Sequence, residues 1–289
     1  MKPSATQKAN TLNPTPNDLS ITPRHIHFDV SDDLATLWHG DDAFKTAFYN
    51  ALSVQFPAGE KQFIKSVRQY KDRIKNEKLS EQVGNFIKQE GQHTREHRKY
   101  NDALTQRGYD LSILEKGINK QMSIVSKLDE QRQLAGTCAA EHLTAVLAEG
   151  ILKHPEWLEG ASPKMKALWK WHAVEETEHK GVAFDVFQAH VNNTRMRRIV
   201  MFIVIMNISR ITFLDMCYML KKEGKFYSLK TWVSGTKFFW GKNGILRHTL
   251  PELMHYFKKD FHPWHYDSRE LISQWESTYD LDFQDVVNA

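Results

Sequence analysis

A stretch in the second half of the chain, which reads WHAVEETEH, has residue types and spacing that suit a metal ion. It contains no proline and is predicted to be helical, and on a helix the positions i, i+4 and i+7 lie along one stripe. His172, Glu176 and His179 have this spacing, so two imidazoles and a carboxylate face one volume. Such ligands suit iron, manganese or zinc. Glu175 and Glu178 lie about 100° to either side, and we interpret them as solvated charge or as groups that support the ligands.

Three other predicted helices carry ligands of the same kinds. A di-metal site in a four-helix bundle uses one glutamate from each of two helices and a Glu-x-x-His pair from each of the other two. The chain offers the order Glu, Glu-x-x-His, Glu, Glu-x-x-His. The pattern predicts a centre of two metal ions, which would also carry any catalysis, with the ligands Glu60, Glu90, His93, Glu141, His172, Glu176 and His179.

A single Glu-x-x-His pair is a weak signal, and Glu252-x-x-His255 is interpreted as a chance match. The ordered set gains weight because residues that meet at one level of an antiparallel helix pair lie equally far from its turn. The midpoint of Glu60 and Glu90 is Lys75, in a polar run. The midpoint of Glu141 and Glu176 falls between two prolines, where helices are expected to break.

The alternative interpretation is a set of satisfied core polar groups without metal. Apolar neighbours such as Phe56, Phe86 and Trp169 place the acidic side chains and imidazoles on buried faces. Buried charge is tolerated when it is paired or bound to metal. For any one residue the core interpretation would be preferred, but the ordered set on four helices favours a metal.

The expected fold class is all-α, with a ferritin-like four-helix bundle and additional C-terminal helices. The first helix is expected to begin near Asp41 and to be kinked at Pro57. The other bundle helices are expected over about 80–107, 128–152 and 163–192. Residues 108–125 are expected to form a longer connection, with a short helix in it as the alternative.

These elements divide the chain into three parts. Residues 1–22 are rich in Ser, Thr, Asn and Pro, which predicts a disordered lead-in. Residues 23–270 form a single helical domain, in which 23–192 make the metal-binding bundle and 193–270 are accessory helices. Residues 271–289 are expected to be a C-terminal tail.

Composition describes an ordinary globular protein. The chain has 289 residues, of which 41% are hydrophobic and 26% are charged, and its net charge is +4. This charge is too small to indicate nucleic-acid binding. Cys138 and Cys217 are far apart in apolar helical runs, so we expect reduced core residues. With no secretory signal pattern, a cytoplasmic location is expected.

Residues 199–220 form the most apolar segment. The preferred interpretation is a fifth helix buried against the bundle. The alternative is peripheral contact with a membrane, since basic residues flank the segment on both sides. A transmembrane span is disfavoured because Arg210 and Asp215 would be costly in lipid. An exposed apolar helix would also favour a homodimer.

The ligand order resembles that of ferritin-like di-iron carboxylate proteins. The added His172, which gives His-x-x-x-Glu-x-x-His, is similar to the site of the arylamine N-oxygenases of the p-aminobenzoate type. That resemblance implies that the extra histidine makes one iron more nitrogen-rich. It also implies that the ligands are the seven residues named above.

The wider sequence resembles a bacterial family described as predicted metal-dependent hydrolases. The resemblance covers about residues 25–270 and is carried by Trp38-His39-Gly40-Asp41, Phe56-Pro57-Ala58-Gly59-Glu60 and Glu90-Gly91-Gln92-His93. The family label implies hydrolysis, although no residue pattern in the chain requires that reaction.

Three functions remain open. The first is an oxidoreductase in which two metal ions, iron before manganese or zinc, activate O₂ to oxidise a small apolar or aromatic substrate. Cys138 would line its cavity, and any reductase would be a separate protein. The second is a hydrolase in which the metals activate a bridging water. The third is a metal-binding or membrane-peripheral protein without turnover.

Three further histidine positions are weighed separately. His97 is interpreted as a polar residue at the edge of the bundle, with a supporting role for the ligands as the alternative. His142 is expected at the surface or in helix packing. His262 and His265 are expected in a surface aromatic turn rather than at a metal.

Overall fold

The structure, a computed structural model, describes residues 15–282. Within this range every regular element is a helix, and the single β-type contact is an isolated bridge between His39 and Ala161. The predicted all-α fold class is therefore confirmed. Its assignment to the ferritin-like bundles stays a prediction.

The described residues form eleven α-helices, joined by short loops and three 3₁₀ turns. They are α1 (Ser31–Leu34), α2 (Ala43–Arg68), α3 (Glu77–Gln106), α4 (Leu111–Val125), α5 (Glu130–Lys153), α6 (Pro163–His179), α7 (Val182–His190), α8 (Thr194–Lys222), α9 (Leu229–Trp240), α10 (Ile245–His255) and α11 (Arg269–Asp282).

Helices α2, α3, α5 and α6 carry the predicted ligands, and each begins at a side chain that caps it. The cap residues Asp42, Asn76, Asp129 and Ser162 each accept a hydrogen bond from a backbone N–H of the first turn. Each such cap stabilises a helix by about 1 kcal/mol. Because the caps fix where the helices begin, they also fix the level at which each ligand lies.

Two apolar clusters lie on either side of the ligands along the bundle. One contains Phe63 and Phe86 and lies toward the connection between α2 and α3. The other contains Tyr100 and Trp169 and lies toward the connection between α5 and α6. The seven candidate ligands lie between the two clusters. This agrees with the prediction from their equal distances to the two helix connections.

One bundle segment differs from the predicted elements, and a second matches the alternative that was left open. The connection over 108–125 contains the 15-residue helix α4, which agrees with the helix allowed there. The expected fourth helix is interrupted at Lys180 and Gly181, so that α6 ends at His179 and α7 begins at Val182. A Cβ at Gly181 would lie 2.8 Å from Trp264 Cδ1, so this close approach needs glycine.

The two ends of the described chain pack against the bundle. Thr15 hydrogen bonds to Asp185, and Ile21 is buried. This departs from the disordered lead-in expected there, while residues 1–14 lie outside the described residues. The expected C-terminal tail begins as helix α11, whose Ile272 and Trp275 are buried; residues 283–289 also lie outside the described range.

Helix α8 is buried on one side only, which corrects the expectation of a helix buried against the bundle. Its inner side chains pack against α2 and α5. Its outer face exposes large apolar side chains, and Phe202 is 62% exposed. Of the described helices, α8 alone has the length and hydropathy to cross a bilayer, and 33% of its most apolar window is buried.

Candidate metal centre

The seven predicted ligands converge at one level of the bundle. All seven are buried, with no more than 4% of any residue exposed. Their ligand atoms, joined by one from His97 beside Glu60 and His172, form overlapping groups of three in which all atoms lie within 4.8 Å of one another. Two of these groups, Glu60-Glu90-His93 and Glu90-Glu141-His179, share Glu90. The structure therefore brings together all seven residues that the spacing pattern predicted.

Glu176 lies at the middle of the cluster. Its Oε1 atom is 3.3 Å from His172 Nε2, 3.4 Å from His93 Nδ1 and 3.6 Å from His179 Nε2. Its second oxygen accepts a hydrogen bond of 2.5 Å from Thr144 Oγ1. The contact of Thr144 with the cluster was not predicted. Thr144 lies three residues after Glu141, and the equivalent position after Glu90 and Glu176 is a histidine.

Several polar atoms of the cluster have no hydrogen-bond partner among the described residues. Both carboxylate oxygens of Glu60, Glu90 and Glu141 belong to this set, as do His93 Nδ1 and His179 Nε2, although His179 Nε2 lies 3.1 Å from Glu90 Oε1 without hydrogen-bond geometry. Native proteins leave few buried polar atoms unsatisfied, and a group of them at one place calls for an explanation such as an ion. Carboxylate oxygens and imidazole nitrogens are donors that divalent iron, manganese and zinc accept. The residues present therefore fit a metal centre.

Glu175 holds the ring of His93 from the side away from the cluster. Its Oε2 atom lies 3.0 Å from His93 Nε2, which leaves Nδ1 toward the other ligands. Glu175 is fully buried, so the expectation of solvated charge was wrong and the supporting role is the one observed. The Arg24 backbone N–H donates to Glu175 Oε1 at 3.0 Å, and its guanidinium lies 3.6 Å from the same oxygen.

An equivalent contact holds the ring of His179. Its Nδ1 atom lies 3.0 Å from Gln89 Oε1, and the Gln89 amide donates to Glu178 Oε2 at 2.7 Å. Glu178 is buried and pairs with Arg24 at 2.6 Å. The N-terminal arm, residues 15–30, thus supports both histidines of the Glu-x-x-His pairs. Such supporting contacts fix ring orientation at metal sites.

His97 lies inside the bundle, which corrects its predicted position at the edge. It is fully buried, and its Nε2 is 2.9 Å from His172 Nδ1. Its other nitrogen lies 2.8 Å from the Ser53 hydroxyl, which itself donates to Asn101. These contacts orient His172 toward Glu176. His97 therefore occupies a position that supports a candidate ligand, which was the alternative interpretation of this residue.

The cluster concentrates negative charge in a low-dielectric interior. Burial raises the pKa of Glu60 well above its ordinary range, and Glu90 raises it further. Burial and Glu90 also raise the pKa of Glu141 to about 8. Burial alone would lower the pKa of His93. The carboxylates of Glu175, Glu176 and Glu90 outweigh this effect and raise the pKa of His93 well above 6.5. The site therefore strongly favours positive charge placed among its carboxylates.

An apolar chamber of about 100 Å³ adjoins the cluster on the side of Glu60 and His172. The His172 ring stacks on Phe56, with ring centroids 4.8 Å apart. Cys138 was expected to line this space but does not, because its thiol turns away and donates to the Ala183 carbonyl at 3.1 Å. The remaining lining includes Leu52, Ile118, Met122, Leu147, Val204 and Ile208.

The other histidines lie away from the cluster. His142 stacks on Tyr256, with centroids 5.1 Å apart, which agrees with the expected helix packing. His262 is buried and lies 2.8 Å from Asp185 Oδ1, so the surface turn expected there was wrong. Cys138 and Cys217 are both free, as expected.

A buried cluster of carboxylates and imidazoles in a helical bundle belongs to the class of metal-binding sites. The family described as predicted metal-dependent hydrolase matches residues 22–267, and this chain belongs to that family. No curated protein and no solved structure matches the chain. The resemblance to ferritin-like di-iron proteins and to N-oxygenases is not confirmed by these comparisons.

Proposed function

We propose that the protein is a metal-dependent hydrolase with a two-ion centre. The observation that carries this proposal is the convergence of unsatisfied carboxylate oxygens and imidazole nitrogens on one buried volume. Glu60, Glu90 and His93 would hold one ion, and Glu90, Glu141 and His179 the other. Glu176 and His172 would complete the centre from α6.

A bound pair of divalent ions would supply Lewis acidity and a water of lowered pKa. The protein's own part is to orient the ligands and to exclude bulk water. Glu175 and Gln89 hold the outer nitrogens of His93 and His179, so the inner nitrogens face the carboxylates. The apolar chamber would bind the apolar part of a substrate beside Glu60, since its walls offer few polar partners.

Hydrolysis is the leading reaction because the family description names it. Oxidation with O₂ is the second candidate, and the nitrogen-rich ligand set with His172 supports it, as does the apolar lining of the chamber. An apolar or aromatic substrate suits both reactions. Iron is the metal that we expect first, with manganese or zinc as alternatives, and a redox reaction would need a separate reductase.

Metal content tests the centre independently of the reaction. Glu176→Gln should lower the ratio of metal to protein, because it removes a charged ligand at the middle of the cluster. Glu252→Gln is the matched control, since Glu252 stands in a third Glu-x-x-His pair, 3.5 Å from its histidine, on the half-exposed α10. Inductively coupled plasma mass spectrometry of both variants and the wild type gives the ratios. Equal ratios in all three proteins would contradict the proposed centre.

The reaction is tested next on the metal-loaded wild type. Hydrolysis of aryl esters of increasing chain length, lost in Glu176→Gln and kept in Glu252→Gln, would support the hydrolase. Consumption of O₂ by the Fe(II)-loaded protein without ester hydrolysis would support the oxidative candidate instead. Metal binding with neither activity would favour a protein without turnover.

A further inference from the structure

The outer face of α8 is an apolar stripe that no other described residue covers. Its exposed large side chains recur at helical spacing, and each is at least half exposed: Ile199, Phe202, Ile203, Met206, Phe213 and Leu214. Between Ile199 and Leu214 the stripe spans roughly 22 Å, at 1.5 Å per residue. Contiguous apolar surface on this scale marks an interaction site more often than chance exposure.

Basic side chains border this stripe. Lys116 and Lys120 on α4 and Arg195 and Arg210 on α8 line the groove between the two helices. None of the four has an ion-pair partner within 4.0 Å in the described part of the chain. Among the described residues that line the groove, Asp215 alone is acidic, and burial raises its pKa to about 7. The face therefore combines apolar surface with unpaired positive charge.

The groove also leads toward the candidate metal centre. It has a volume of about 1020 Å³ and lies on the outside of the chamber beside Glu60. Four residues line both spaces, namely Gln121, Val125, Gly136 and Val204. The surface groove and the inner chamber are therefore adjacent, separated by these side chains.

We propose that the face formed by α4 and the outer stripe of α8 docks on an anionic lipid bilayer. The apolar stripe enters the interfacial region, and the basic groove residues contact anionic headgroups. The groove then faces the lipid, so an amphiphile with a long apolar chain enters the groove from the bilayer and reaches the chamber beside Glu60 when the shared side chains Gln121, Val125 and Val204 move aside. This last step rests on the proposed function, whereas the docking does not.

A bilayer fits this face better than a second copy of the chain. In a symmetric dimer through the stripe, Arg195 and Arg210 of one copy would approach the same residues of the other, and like charges at close range repel. Anionic headgroups supply the opposite charge. A helix that lies in the interface also keeps Arg210 at the headgroup level, whereas a transmembrane position would bury it.

The test is cosedimentation of the full-length protein with vesicles, with and without added metal. One set is phosphatidylcholine alone, and the other contains phosphatidylglycerol as well. The variant Phe202→Glu/Met206→Glu removes two anchors of the stripe. Lys88→Glu is the matched control, because it changes the net charge by the same amount at an exposed site of α3, which lines no part of the groove.

Wild type and Lys88→Glu should bind the anionic vesicles on the order of tenfold or more tightly than the neutral ones. High salt should weaken this binding, and the double variant should lose it. Equal sedimentation with both vesicle types would overturn the proposal, as would undiminished binding of the double variant. A stable dimer that excludes vesicles and dissociates in the double variant would also overturn it. Because metal and activity play no part in this readout, docking without hydrolysis would count against the proposed function alone.

Discussion

Replacing Arg24 with alanine should both destabilise the protein and weaken metal binding. The guanidinium lies 2.6 Å from Glu178 and 3.6 Å from Glu175, and both carboxylates are fully buried. Loss of one partner of a buried ion pair costs about 3–5 kcal/mol, because the other charge is left uncompensated. Arg24 also lies over the Trp275 ring at 5.0 Å, a contact that alanine cannot make.

Arg73→Ala is the matched control for stability. Arg73 forms an ion pair of 2.9 Å with Glu130, but both side chains are about half exposed. Exposed pairs contribute about 0–1 kcal/mol. Urea unfolding of the two variants should therefore separate them by at least ~2 kcal/mol. Equal losses of unfolding free energy would refute the argument that the arm compensates buried charge.

Metal affinity gives the second readout for Arg24→Ala. Without the guanidinium, Glu175 is held less firmly against His93, and supporting contacts of this kind are worth about 10–100-fold in metal affinity. Competition with a chromogenic chelator measures this change on the folded variant. A destabilised variant with unchanged affinity would show that the N-terminal arm is structural only.

Two further outcomes are expected from the groove. Burial raises the pKa of Asp215 from 3.8 to about 7, so the native protein binds the Asp215 proton more tightly than the unfolded chain does. The native protein therefore loses stability as the pH rises through this range. Asp215→Asn should therefore gain unfolding free energy relative to the wild type by up to about 3 kcal/mol between pH 5 and pH 8; a pH-independent difference in urea unfolding would contradict this. Gly136 lines both the groove and the chamber, and a Cβ there meets nothing within 4 Å. Gly136→Leu should fold but weaken binding of a fluorescent long-chain fatty acid by ~10-fold, whereas the exposed control Gly91→Leu should not; equal binding would argue against the route.

The convergence of the seven candidate ligands could be predicted from the sequence because their geometry is local. Helical spacing fixes which residues share a stripe, and the turn positions fix the level at which stripes from different helices meet. Both quantities are visible in the chain, since Asn76 and Ser162 mark helix starts. The regular geometry of the α-helix therefore allowed seven residues to be placed at one level of the bundle.

The supporting contacts could not be predicted in the same way. Glu175 and Glu178 lie on faces that helical periodicity alone would give to solvent, and they are buried because residues 15–30 cross over them. The composition of residues 1–22, rich in Ser, Thr, Asn and Pro, gave no sign that Thr22 contacts Glu178. His97 was misjudged for a similar reason, since its partner Ser53 is 44 residues away in the chain.

The charge balance of the centre links these contacts to the proposed ions. Glu175 and Glu178 have Arg24 as a cation within reach. Among residues 15–282, Glu60 has no basic side chain within ion-pair distance, and Glu141 has His179 alone. Arg24 would compensate the outer carboxylates, Glu175 and Glu178. A bound metal would compensate the inner carboxylates, Glu60 and Glu141. A ligand that binds the native state alone stabilises it by mass action, so bound metal should raise the unfolding free energy of the wild type and of Arg24→Ala alike.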